Sequence, residues 1–171
     1  MKKLAIATLI ILAVLTNTAL AFQNEPDGFR GLKWGDPPGE ELKFLTKLDE
    51  WMMGYRNPID KLKLGDAHFY MILYQFYSPP NADVKKFMSV ALYFKDKENF
   101  NILETICKVK FGKPTNEGFY NLGWISLSSM VSLKYDGIDE EGYLALGSMP
   151  IFKQYTQEKE KKQAEEAEKD W

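Results

Sequence analysis

The apolar pattern opens with an unbroken run at residues 4–15. Lys2 and Lys3 precede it, and the small-x-small triplet Ala19-Leu20-Ala21 follows shortly after. A positive head, a short apolar stretch and a small-residue exit predict a cleaved export signal over 1–21. The run is too short to cross a bilayer comfortably. The processed chain is expected to begin near Phe22 and to work in the periplasm or outside the cell, without stable membrane insertion.

Beyond it the pattern alternates between strand-like and helix-like periods. Residues 22–28 read as an irregular lead. In the string Phe29-Arg30-Gly31-Leu32-Lys33-Trp34-Gly35, Phe29 and Trp34 read as anchors onto the core and the glycines as tight turns. Asp36-Pro37-Pro38-Gly39 is a break. Residues 40–48 predict a short helix, with Glu40 and Glu41 in its first turn and Leu42 and Leu45 on its apolar stripe. Strands are predicted at 51–56 and 59–64, the second a lysine-protected edge. Residues 68–77 are apolar or aromatic on both faces and predict a central strand. At 87–94, Met88, Val90, Leu92 and Phe94 fall on one face. Asp96 then offers an N-cap to a helix over 97–111, whose apolar face holds Phe100, Leu103, Ile106, Cys107 and Phe111, with Gly112 and Pro114 as its stop. Further strand segments read at 124–127, 129–135 and 143–146, the first two as one strand bulged near Ser128. Residues 153–170 switch to Lys, Glu, Gln and Ala, with Glu158/Lys162 and Glu165/Lys169 four apart. That predicts a solvated, protruding helix with little to bury after Tyr155.

Short links between strands favour antiparallel pairing over a βαβ arrangement. The expected fold is α+β: one antiparallel sheet with helices on one face, in two approximate helix-plus-strands units at 39–94 and 96–147. Residues 22–152 would form a single domain and 153–171 a charged helical tail. A chain of this length can bury roughly 70% of its unfolded surface and needs no disulfide or metal to fold.

Charge narrows the classes of partner. Without Lys2 and Lys3, 20 basic side chains stand against 24 acidic ones, a net of −4. Such a balance does nothing to attract phosphate backbones, so no nucleic acid is expected. Cys107 is the single cysteine and reads as a small buried hydrophobe on the helix. A hydrolytic triad needs a histidine, and His68 is the only one. No nucleophile-elbow motif accompanies it, and it reads as a strand-end residue. Zinc patterns are missing, and Asp136, Asp139, Glu140 and Glu141 lack the spacing of a calcium loop, so they read as a charged hairpin turn. The expectation is therefore no catalytic residue, no metal site and no cofactor.

What remains is aromatic surface. Trp51, Tyr70, Tyr74, Tyr77, Tyr93 and Trp124 fit either a groove for a ligand or partner, or a packed core; tyrosine serves both, because it buries its ring and keeps its hydroxyl wet. Two functional readings follow. The first is a non-enzymatic exported protein that binds another envelope protein or assists envelope assembly. The second is a carrier of a small apolar or glycan ligand, with a pocket lined by the tyrosines of 68–77. A hydrolase using His68 or a carboxylate pair has the least support.

The opening Phe29-Arg30-Gly31-Leu32-Lys33-Trp34-Gly35 resembles the F-x-G-[I/L]-x-W-G start of small exported bacterial proteins of unassigned function. Phe111-Gly112-Lys113-Pro114 is similar to the F/Y-G-x-P stop of their second helix, and Trp124 with the strand after it matches as well. The resemblance spans about 29–146 and implies no catalytic residues. More distantly, the repeated helix-plus-strands layout is similar to the β-lactamase-inhibitor-protein and outer-membrane assembly lipoprotein E folds, both protein-binding. The chain lacks the lipidated cysteine of the latter.

Overall fold

The computed structural model describes residues 21–80 and 82–170. The export signal expected at 1–21 thus lies, save for Ala21, outside the described residues, as does Trp171.

The fold is α+β. The main sheet has eight antiparallel strands in the order β3-β4-β7-β8-β12-β11-β10-β9. Strands β3 (Lys43–Lys47), β4 (Met52–Arg56), β7 (Met71–Tyr77) and β8 (Lys86–Lys95) form one half. Helix α1 (Lys97–Phe111) then carries the chain to the far edge. There β9 (Asn116–Gly118), β10 (Asn121–Ile125), β11 (Ser129–Asp136) and β12 (Glu141–Ser148) wind back, until β12 pairs with β8 in the register Leu144↔Leu92. Helix α2 (Met149–Ala167) follows. Two small hairpins stand outside this sheet: β1 (Gly28–Phe29) with β2 (Leu32–Lys33), and β5 (Lys63–Leu64) with β6 (Ala67–His68).

All eight strands share one sheet, and along the chain each helix follows four of them rather than preceding them. The helix expected at 40–48 is strand β3, whose Phe44 pairs with Tyr55 across the ladder, ring centroids 5.7 Å apart. The Leu42-Leu45-Leu48 spacing is not a buried stripe: Leu42 is buried, while Leu45 and Leu48 are about two-fifths exposed. Nine residues with one buried leucine offer too little packing to hold a helix. The lysine-protected edge is therefore β3, with Lys43, Lys47 and a bulge between Phe44 and Thr46. Residues 59–64 contribute only the two-residue β5, and Ile59 stands in solvent.

The principal core lies between α1 and one sheet face. Phe100, Leu103, Cys107 and Phe111 of α1 pack on Leu92, Phe94, Leu133, Leu144 and their neighbours. Burying each such side chain stabilises the fold by about 1.5–3 kcal/mol. Helix α1 has the expected bounds: Asp96 Oδ1 accepts from the Asn99 N–H at 3.0 Å, and Gly112, at φ 78°, closes the last turn onto the Lys108 carbonyl at 3.0 Å. In β8 a register shift opposite Gln75 and Phe76 splits the expected face. Phe87, Val90, Leu92 and Phe94 enter the principal core, while Met88 turns to a second cluster with Tyr77 and Tyr155. Residues 121–125 and 129–136 are two hairpin-paired strands, not one bulged strand.

Of the two helices, α1 alone covers the principal core face, which the lead and the two small hairpins also border. Helix α2, capped by Ser148 and started by Pro150, crosses the ends of β4, β7 and β8 and packs on the second cluster. It does not simply protrude. Past Tyr155, Lys159 pairs with Asp49 at 3.2 Å, and Lys162 pairs with Glu50 while its ammonium lies 5.6 Å over the Trp51 ring. No helix among the described residues is long and apolar enough to cross a membrane.

Candidate functional site

Strand alternation leaves the second sheet face without a covering helix along most of its breadth. The ladder aligns one cross-strand row there. Leu73 pairs with Ala91, Ala91 with Ala145, Ala145 with Ser132, and Ser132 with Gly123. From Ala91 onward, every member of that row is small, which makes a shallow trough across the strands. The neighbouring row is aromatic: Tyr93 pairs directly with Tyr143, and the Tyr70 N–H donates to the Tyr93 carbonyl at 3.0 Å. Their rings form a continuous ledge, with centroids 6.2 Å apart for Tyr70–Tyr93 and 6.4 Å for Tyr93–Tyr143. On the other side of the trough lie Gln75 and Ser89, joined by a 2.6 Å hydrogen bond, and Met130 beyond them.

The ledge opens at the sheet end opposite α2 into a cleft of about 540 Å³, where Phe119, Tyr120 and Tyr135 meet Tyr70, Tyr93 and Tyr143. Charges of both signs rim it. Lys95 pairs with Glu141 at 3.4 Å and lies 5.7 Å over the Tyr70 ring, and Tyr70 Oη donates to Glu141 at 3.4 Å. Burial and then the Glu141 charge raise the Tyr70 hydroxyl above the usual tyrosine range; burial and then Tyr143 do the same for Tyr93. Both hydroxyls are therefore protonated donors at neutral pH. Phe119, 88% exposed at the tip of the β9–β10 turn, packs at a tilt against Tyr120, centroids 4.1 Å apart. Broad rings, fixed donors and mixed charge at the rim can bind by packing and hydrogen bonding.

The six aromatics singled out in the sequence divide. Tyr70 and Tyr93 come together on the ledge. Tyr74, Tyr77 and Trp124 are buried at 3%, 0% and 0% exposure, so they line no pocket of the expected kind. Tyr74 packs beside Phe29 and Phe87, its hydroxyl donating to Asp60 at 2.7 Å. Trp124 Nε1 donates to the Gly112 carbonyl at 2.9 Å, tying β10 to the end of α1. Trp51 is half-buried under α2. Of the tyrosines of 68–77, Tyr70 borders the cleft, while Tyr74 turns into the principal core and Tyr77 into the α2 cluster. Sequence reasoning missed Tyr143 and the small row. Only pairing register, not composition, brings Ala91, Ala145, Ser132 and Gly123 into line.

The remaining candidates are isolated. His68 is exposed, and among the described residues its only hydrogen bond runs from its backbone N–H to Asn99 Oδ1. No cluster of metal-ligating side chains forms among the described residues. Asp136 Oδ1 accepts the Ile138 N–H at 2.8 Å, so the acidic group is a hydrogen-bonded hairpin turn. Cys107 is 1% exposed, and burial pushes its thiol up to about 12. The chain matches no known protein family, no curated protein and no solved structure.

Proposed function

We propose that this chain is an exported, non-enzymatic binding protein whose uncovered sheet face receives another protein of the cell envelope. The observation that carries the reading is the cross-strand trough of Ala91, Ala145, Ser132 and Gly123, bordered by the Tyr70–Tyr93–Tyr143 ledge. Small side chains let a partner's backbone approach closely, and tyrosines are enriched among the residues that dominate interface energies. Tyr93 and Tyr143 stand on paired strands, and Tyr70, in the bend before β7, is tied to Tyr93 by its backbone N–H, so little entropy is lost when a partner settles on the ledge. Export rests on the leader pattern at 2–21. The likeness of the 29–35 motif to exported bacterial proteins agrees with it.

The test is crosslinking in the native envelope, comparing the wild-type chain with Ser132→Arg. A long charged side chain at position 132, half-buried between Ala145 and Gly123, fills the trough from the side facing away from the principal core. The wild type is expected to yield a discrete adduct, which the variant loses while keeping its circular dichroism spectrum. An adduct of equal yield with a folded Ser132→Arg protein, or no adduct with wild type at full expression, refutes the reading.

A further inference from the structure

The aromatic row of the open sheet face runs on past the ledge and changes chemistry. Tyr93 of β8 pairs with Tyr143 of β12, Tyr143 with Lys134 of β11, and Lys134 with Asn121 of β10. With strands about 4.8 Å apart, these four side chains span roughly 14 Å in a line. The row lines the cleft of about 540 Å³, with Tyr70 beside Tyr93 and the exposed Phe119 next to Tyr120 and Asn121. Tyr93, Tyr135 and Tyr143 are each half-buried, so their rings are fixed on one side and open on the other.

The cleft also holds hydrogen-bonding groups that the fold leaves unused. Among the described residues, the Lys134 ammonium, the Asn121 amide and the hydroxyls of Tyr93, Tyr135 and Tyr143 have no protein partner. Asp136 spends Oδ1 on the Ile138 N–H at 2.8 Å and keeps Oδ2 free. Charge selects against ions. Lys95 and Lys97 already lie over the Tyr70 and Tyr120 rings, 5.7 and 5.2 Å from their centroids, where an incoming cation would sit. Around the opening Lys95, Lys97 and Lys134 stand against Asp96, Asp136, Glu140 and Glu141, so no positive field draws a phosphate or carboxylate. A ligand matched to these walls is uncharged, has flat apolar faces for the rings, and both donates and accepts hydrogen bonds. A pyranose meets all three conditions: its axial C–H bonds make an apolar face, and its hydroxyls ring the edge. A proline-rich segment would pack its rings as well, but it brings no N–H for Asp136 Oδ2 or for the Asn121 carbonyl.

We infer that the cleft binds a short neutral oligosaccharide, its sugar rings on Tyr93, Tyr143 and Phe119 and its hydroxyls on Lys134, Asn121 and Asp136. This goes beyond protein docking at the trough. The two surfaces share the tyrosine ledge, while Phe119, Lys134, Asn121 and Asp136 belong to the cleft alone.

The test is isothermal calorimetry on the purified protein with chitotriose, maltotriose and cellotriose, neutral trisaccharides that differ in linkage and in acetamido groups. Saturable one-to-one binding of at least one is expected, with a Kd of about 1 mM or below. Phe119→Ala, at an exposed turn tip, should weaken it about threefold or more. Lys134→Met, which keeps the stem and removes the donor, should weaken it about three- to tenfold. Val109→Ala, on the solvent side of α1, should change nothing. No partner protein is present, so failure here leaves the envelope crosslinking of wild type against Ser132→Arg unaffected. No saturable binding of any trisaccharide up to about 10 mM, undiminished binding by both folded cleft variants, an equal loss in Val109→Ala, or tighter binding of decaproline than of every trisaccharide overturns the assignment.

Discussion

Tyr74 and Tyr77 stand three residues apart on β7, both buried, yet removing their hydroxyls should have unequal consequences. Tyr74 is 3% exposed and donates at 2.7 Å to Asp60, whose side chain is 8% exposed and also pairs with Arg30 at 2.5 Å. Burial first and Asp60 second raise the Tyr74 hydroxyl above the ordinary range, so it is a fixed donor at any working pH. A hydrogen bond to a buried charged group contributes about 1.5–3 kcal/mol. Tyr74→Phe removes it and leaves Asp60 one donor short, for a loss of about 2 kcal/mol. In a domain of this size that lowers Tm by ~4–8 °C. Tyr77 is fully buried, and burial and the nearby Glu158 carboxylate raise its hydroxyl, but the pair does not form a well-shaped hydrogen bond. Tyr77→Phe deletes this poorly satisfied hydroxyl and keeps the ring that packs on Tyr155 at 5.9 Å. Its effect should be smaller than that of Tyr74→Phe, within about 1 kcal/mol of wild type. Urea denaturation of the two variants, read by circular dichroism at constant m-value, decides the matter. Equal losses, or a loss confined to Tyr77→Phe, would refute the hydrogen-bond reasoning.

Other outcomes follow from the same geometry. Trp124→Phe loses the indole bond to the Gly112 carbonyl and part of a fully buried ring, and should cost about 2–3 kcal/mol by urea denaturation, whereas Tyr93→Ala on the ledge should cost far less. Burial raises the Asp49 carboxyl, but hydrogen bonds from Tyr155 and the Trp51 N–H and the Lys159 charge outweigh it, holding the group below its ordinary range. Its stabilising effect is then present above that range and lost as pH falls through the folded value. Asp49→Asn should thus be less stable than wild type at neutral pH, with the gap in urea midpoint closing as pH falls below the ordinary carboxylate range.

Local rules made much of this fold readable. Asp96, the apolar spacing from Phe100 to Phe111, and Gly112 mark α1 because cap, stripe and stop lie within one segment. Phe29 and Trp34 do anchor the lead, onto Tyr74 and Phe87, for the same local reason: large rings among glycines have few other uses. Legibility ended where pairing between distant segments decides. Residues 43–47 could satisfy a helical period or a strand, and β4 settled it by offering a ladder. The lysines of α2 look solvated in sequence, yet two of them meet Asp49 and Glu50 more than a hundred residues away. The tyrosines were recognisable as a set but not as individuals. Whether one faces the core or the open face turns on strand register, and the β8 irregularity shifts that register by one residue.

The central claim is that the sheet face bearing Tyr93, Tyr143 and Ser132 is occupied in the cell. A photoreactive benzoylphenylalanine placed singly at each of these positions, and at Val109 on the solvent side of α1 as a control, tests it in the intact envelope. The account predicts one discrete adduct shared by the three face positions and none at Val109. Adducts at Val109 alone, or equally at all four sites, would contradict it.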